Sequence, residues 1–179
     1  MRRGEKGFSI IEMALACSIS ALLAAAAGMT ILQAAKSASG SKAHLSVVSQ
    51  VHSAGYWIGR DALMAEGIIV DNLEYPNLLV LSWSEQDLDG GDTVYHTVTY
   101  SLENLSGNVG DLKRNHRTTT GIDEDTLVAR YIYYDAGDPQ LSSSATFQAP
   151  VLTLRLHAVF DGTTETRQYT FDHRPDFMQ

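Results

Sequence analysis

The chain has 179 residues, 44% of them apolar, and a formal net charge of −8, which suffices for one folded domain with an appendage. Residues 1–7 hold three basic side chains and one acidic one, so the remainder sets 10 basic against 20 acidic groups. That balance, with no basic stripe interleaved with aromatics, argues against nucleic-acid binding. Cys17 is the single cysteine, which excludes an internal disulfide.

From the start of the chain, Arg2, Arg3 and Lys6 precede a 25-residue run from Phe8 to Leu32 whose only charged residue is Glu12. As a helix this run is about 37 Å long, enough to cross a hydrocarbon core of about 30 Å with some tilt. The basic flank predicts a cytoplasmic N-terminus with the rest of the chain on the other side. A secretory signal peptide fits poorly, because the run is longer than a signal core and lacks a small-x-small cleavage site. Glu12 raises the main question, since a carboxylate inside an apolar run costs several kcal/mol unless something offsets it. In a plain signal anchor, Glu12 would snorkel to the interface.

The run K-G-F-S-I-I-E, Lys6 to Glu12, resembles the processing site of type IV prepilins and pseudopilins. Gly7, Phe8 and Glu12 stand where that family has its leader glycine, its N-methylated first residue and its conserved-position glutamate. The resemblance implies cleavage after Gly7 by a prepilin peptidase, N-methylation of Phe8, and a Glu12 carboxylate that pairs with the new α-amine of a neighbouring subunit and sets axial register. It also implies the pilin fold, an α+β architecture in which a long N-terminal helical spine, membrane-spanning in its first half, packs against a mainly antiparallel β-sheet head. Two departures from the family pattern stand out, the first bearing on local melting of the helix within a filament and the second shifting the expectation toward minor pilins and pseudopilins. The apolar run has no helix-breaking proline, only Gly28 in an alanine-rich stretch, and there is no C-terminal disulfide. The presence of Glu12 argues against the extreme tip subunit of a secretion filament.

Beyond KSASGSK, apolar positions recur at Val47, Val51, Ala54, Ile58, Ala62 and Ala65, with Val48 alongside. This spacing predicts that the helix continues to about Glu66 and buries one stripe. Gln50, Ser53, Arg60 and Asp61 are expected away from that stripe. Gly40, Gly55 and Gly59 are expected to weaken the helix, with a bend near Gly40. The phrase IGRDALMAEGI resembles the end of the long helix in J-type minor pseudopilins and W-type minor pilins, with Asp61 and Ala65 as the matching residues. Read on its own, Asp61 is either a solvated charge at a helix end or a partner-facing one, with equal weight.

From Ile68 the period changes. Leu78–Trp83, Thr93–Leu102, Leu127–Tyr134, Val151–Phe160 and Thr166–Phe171 are rich in β-branched and aromatic residues and read as strands. In VLTLRLHAVF, Val151, Thr153, Arg155 and His157 share one face, and Leu152, Leu154 and Leu156 the other. Asp161 and Gly162 form a hairpin turn. The order of segments resembles the J-type pseudopilin head. The expected organisation is a leader at 1–7, a transmembrane and filament-core helix at 8–35, the extracytoplasmic half of the helix at 36–66 and a β-rich head at 67–179.

Asp87, Asp89 and Asp92 beside two glycines offer oxygen ligands for Ca²⁺, but the stretch departs from the EF-hand pattern and serves equally as a polar turn. GIDEDT, with Asp123, Glu124 and Asp125, reads as a solvated acidic loop. The six histidines have no metal-ligand spacing, and hydrolase and phosphate-loop signatures are absent. No catalytic residue, metal ligand or cofactor is therefore assigned. Tyr131, Tyr133, Tyr134 and Phe147 suit core packing or a binding patch; alternation buries either Tyr131 and Tyr133 or Ile132 and Tyr134.

The expectation is a minor pilin or pseudopilin of a type II secretion pseudopilus or type IV pilus, anchored in the inner membrane with an extracytoplasmic head. It would work mechanically, not as an enzyme. Its partners would be other pilin-like subunits, the prepilin peptidase and N-methyltransferase, and an inner-membrane assembly platform. The alternative is a membrane-anchored module that binds a ligand or calcium.

Overall fold

The computed structural model describes residues 9–70, 75–86 and 92–173. One helix, α1, runs from Ile10 to Met64 without interruption, through Gly28, Gly40, Gly55 and Gly59. Its last turn closes with the Ala65 N–H donating to the Asp61 carbonyl at 3.0 Å, and the next amide, Glu66, donates to Ser82 O at 2.8 Å. The chain thus passes from helix to sheet through Ala65 and Glu66 alone.

Eight strands follow: β1 Gly67–Ile69, β2 Asn77–Glu85, β3 Val94–Ser106, β4 Val109–Thr118, β5 Asp123–Tyr133, β6 Ser144–Gln148, β7 Val151–Phe160 and β8 Thr163–Asp172. All pairings are antiparallel, in the order β1-β2-β3-β4-β5-β7-β6 with β8 on the other edge of β7. The architecture is the expected α+β, a long helix followed by an antiparallel sheet. β7 matches its sequence-based bounds, and the β7–β8 hairpin turns at Asp161 and Gly162, both at positive φ. β4 was not separated from β3 in the sequence. Its turn is Gly107-Asn108, again with both residues at positive φ, and its core-facing positions include Gly110 and Arg114, which dilute the apolar signal.

The chain divides into two compact units, 1–42 and 43–179. In the first, every described residue of the helix is exposed. In the second, Val47, Val51, Ala54, Ile58, Ala62 and Ala65 form the predicted stripe, packed in one core with Leu79, Leu81, Tyr100, Leu112, Ile132, Leu152, Leu154 and Leu156. Alternation in β7 holds from Val151 to Leu156, with the three leucines buried and Val151, Thr153 and Arg155 more open, but His157, on the latter face, is buried as well.

Gly55, Gly59, Gln50 and Ser53 of the helix differ from their expected roles. Gly55 and Gly59 seat the rings of Tyr169 and Phe171; a Cβ on Gly59 would stand 2.7 Å from Phe171 Cε1, and one on Gly55 would overlap the Tyr169 ring. They are sites of close approach, which only glycine permits. Gln50 and Ser53 are half-buried because they complete the ladder of β5. The Arg130 N–H donates to Gln50 Oε1 at 2.6 Å, and Ser53 Oγ donates to Val128 O at 2.8 Å. β7 pairs with β5 only at Ile132, so the helix side chains serve backbone groups that a neighbouring strand would otherwise satisfy.

Candidate functional site

The N-terminal site residues Gly7 and Phe8 lie outside the described residues. Ser9 and Glu12 do not, and they form a reciprocal cap. The Ile11 N–H donates to Ser9 Oγ at 3.4 Å, and the Ser9 N–H donates to Glu12 Oε2 at 3.1 Å. The S-x-x-E pattern is a capping box, in which two otherwise orphaned amides of the first turn are satisfied. In the single chain, then, the carboxylate is offset by its own helix end, by a hydrogen bond and by the positive pole of the helix dipole. The sequence pointed to a neighbouring α-amine and the helix N-terminus as the groups that offset Glu12; the serine three residues before it was the available signal for the cap.

C-terminal to the cap, the helix carries Ile10, Ile11, Met13, Leu15, Ile19, Leu22, Leu23, Met29, Ile31 and Leu32 outward, with Ile10 88% exposed. The helix is long and apolar enough to cross a membrane. Ringed by apolar side chains, it has no single face to bury against a soluble domain, and it suits either lipid or a bundle of like helices.

The second cluster lies in the other unit. Asp61 is fully buried, which corrects its reading as a solvated or partner-facing charge. Arg114 of β4 grips it with two hydrogen bonds, Nε to Oδ2 at 2.6 Å and Nη2 to Oδ1 at 3.2 Å, and the Tyr100 hydroxyl of β3 donates to Oδ2 at 2.6 Å. Arg60 adds a longer contact at 3.4 Å, and the two guanidinium groups lie 4.5 and 5.5 Å from the Trp57 ring. Burial, and then the adjacent negative charge of Asp61, push the Tyr100 phenol far above its usual range. Burial works against the charge on Arg114, but the Asp61 carboxylate more than offsets it and the guanidinium is held charged. Every strong donor and acceptor here is satisfied within the chain, so the cluster pins the last turns of α1 to β3 and β4.

The candidate calcium loop is only partly visible: Asp87 and Asp89 lie outside the described residues, and Asp92 is exposed. Among the described residues, no three His, Cys, Asp or Glu side chains are arranged to hold a metal ion. GIDEDT is not wholly a loop, since Asp123 opens β5. There Asn115 donates to the carboxylates of Asp123 and Asp125 at 2.8 and 2.7 Å, and Arg117 donates to Asp123 at 3.3 Å. The Asn115 contact, followed by Arg117, draws the Asp123 pKa below its usual value. In β5 the alternation buries Ile132 and leaves Tyr131 and Tyr133 half-buried. Tyr131 lies 4.3 Å from the Phe160 ring, and Tyr134 stacks on exposed Tyr75.

Residues 2–28 match the family model described as the prokaryotic N-terminal methylation motif. No curated protein and no solved structure matches the chain. The motif spans Gly7, Phe8 and Glu12 and runs into the exposed apolar part of α1, and together these support a type IV pilin-like protein, a substrate for prepilin processing.

Proposed function

We propose that the chain is a minor pilin or pseudopilin, cleaved after Gly7, N-methylated at Phe8 and assembled with other pilin-like subunits into a short filament or its initiating complex. The observation that carries this reading is the methylation motif at residues 2–28 placed at the head of a helix whose apolar side chains, as far as Leu32, are exposed. Such a helix serves first as an inner-membrane anchor and then, after leaving the lipid, as a strand of the filament core. Both environments replace water around the same side chains, so transfer between them costs little. The head, on the extracytoplasmic side, supplies lateral contacts. The work is mechanical: the subunit starts or caps a polymer raised by the inner-membrane assembly platform of a type II secretion system or type IV pilus. Neither of the two residue clusters is built for catalysis. One is a helix cap and the other a closed ion-pair lock.

Co-expression of the full chain with a prepilin peptidase, an assembly platform and the other pilin-like subunits of the same organism tests this reading. The chain is expected in the sheared, sedimentable filament fraction together with those subunits. Recovery solely as a detergent-soluble membrane monomer, under conditions where the other subunits polymerise, would overturn it.

A further inference from the structure

At one end of the sheet, Trp83, His96 and His116 stand on the same face as Tyr100 and Arg114. The register sets Trp83 opposite His96, and His116, the partner of Val98, one diagonal step away. The rings are nearly parallel, with Trp83 and His96 centroids 5.0 Å apart at 6° and His96 and His116 centroids 5.3 Å apart at 15°. His96 Nδ1 and His116 Nε2 are 3.0 Å apart, a separation that demands one proton between them, since two lone pairs or two N–H groups repel. His96 Nε2 is shielded from solvent and has no hydrogen-bond partner among the described residues; Glu85 Oε2 stands 3.5 Å away.

We propose that the His96–His116 pair is a proton-operated latch on this end of β2, β3 and β4, which keeps its grip with one added proton and releases with a second. The first proton belongs on His96. There it leaves the bond between the imidazoles intact, turns Nε2–H toward the Glu85 carboxylate and places the cation against the Trp83 ring. The second must land on His116, where it puts N–H against N–H and a positive charge two residues from Arg114. The charged groups around the pair are Glu85 on β2, Arg114 on β4 and Glu124, opposite His116 on β5, with Asp61 and Arg60 on α1 beyond Arg114. Burial first, then the charges of Arg114 and His96, hold the His116 pKa below the usual histidine value.

The sign follows from linkage. An unfolded histidine takes up its proton near pH 6.5, whereas the folded latch resists it. The stabilisation is therefore complete above about pH 6.5 and is lost as pH falls through the lower folded value. Because the same strands carry Tyr100 and Arg114, which hold Asp61, acid loosens the seat of the helix end as well as the sheet corner. An extracytoplasmic head would then be tight in neutral surroundings and yielding in acid ones.

The test uses the full chain in detergent micelles, with ¹⁵N-imidazole spectra and amide exchange followed between pH 8 and 4. The pair is expected to titrate in two joint steps more than about one pH unit apart. Between about pH 6.5 and the second step the opening equilibrium, read at the Val98 and His116 amides and corrected for intrinsic exchange, is expected to rise about tenfold for each unit the pH falls, as one proton is taken up on opening, and to level off below the second step. His116→Gln keeps a side-chain partner for His96 but carries no titrating ring, and it should flatten that pH dependence. Should this variant fail to give a folded spectrum, Glu85→Gln provides a second check: it should shift the first step to lower pH and keep the second. Independent one-step titration of the two rings in the unaltered chain would overturn the proposal, as would opening that does not change with pH.

Discussion

Replacing Arg114 with Met should destabilise the head by about 3–5 kcal/mol, because it strands a buried carboxylate at Asp61. Asp61 has no exposed surface and takes its strongest hydrogen bonds from Arg114 and Tyr100. With the guanidinium gone, the Tyr100 hydroxyl and the distant Arg60 contact remain, and neither neutralises the charge in place. Asp61→Leu alone should cost a similar amount, since it leaves a buried guanidinium whose alternative neighbours are the Trp57 ring and the Tyr100 hydroxyl. The double variant Asp61→Leu with Arg114→Met should recover most of the loss, because two apolar groups of similar bulk leave nothing unpaired. Chemical denaturation of the full chain in detergent, followed by the signal of Trp57 and Trp83, reads all three. A cost under about 1 kcal/mol for the single Arg114 variant, the range of surface pairs, would mean that the lock contributes no more than a solvated contact.

Glu12→Gln should leave insertion and leader cleavage intact while lowering incorporation into filaments on the order of a hundredfold. Glutamine at this position still accepts the Ser9 N–H, so the helix cap survives. What it lacks is the charge for a neighbouring α-amine, and losing one member of a desolvated pair costs about 2–5 kcal/mol, which is a factor of roughly 30 to several thousand in an association constant. Glu12→Ala removes cap and charge together and should incorporate no better. Comparison of the two separates the roles of the carboxylate: equal incorporation of the glutamine variant and the unaltered chain would assign Glu12 to the cap alone. The ratio of filament to membrane signal, normalised to cleaved subunit, is the measurement.

The stripe of α1 was legible because Val47, Val51, Ala54, Ile58, Ala62 and Ala65 recur at helical spacing with no competing pattern. The β7–β8 hairpin was legible for a similar reason, a strict alternation broken by Asp161-Gly162. Asp61 was missed because a charge near a helix end normally faces water, and its partners lie 39 and 53 residues away in sequence. A signal was nonetheless present. Arg114 falls in phase with Leu112 on the buried face of β4, and an arginine in a core phase implies a buried acid somewhere. The histidine pair escaped for a different reason: His96 and His116 meet only through the β3–β4 register, which depends on the Gly107-Asn108 turn. At the N-terminus the motif was legible whole, while the Ser9–Glu12 cap required the local rule for helix starts to be applied alongside it.

The most direct measurement is the mass of the N-terminal peptide of membrane-extracted protein co-expressed with a prepilin peptidase. The account predicts a peptide that begins at Phe8 and carries one added methyl group on its α-amine. A peptide that begins at Met1, or one cut inside the apolar run near Ala27, would contradict it.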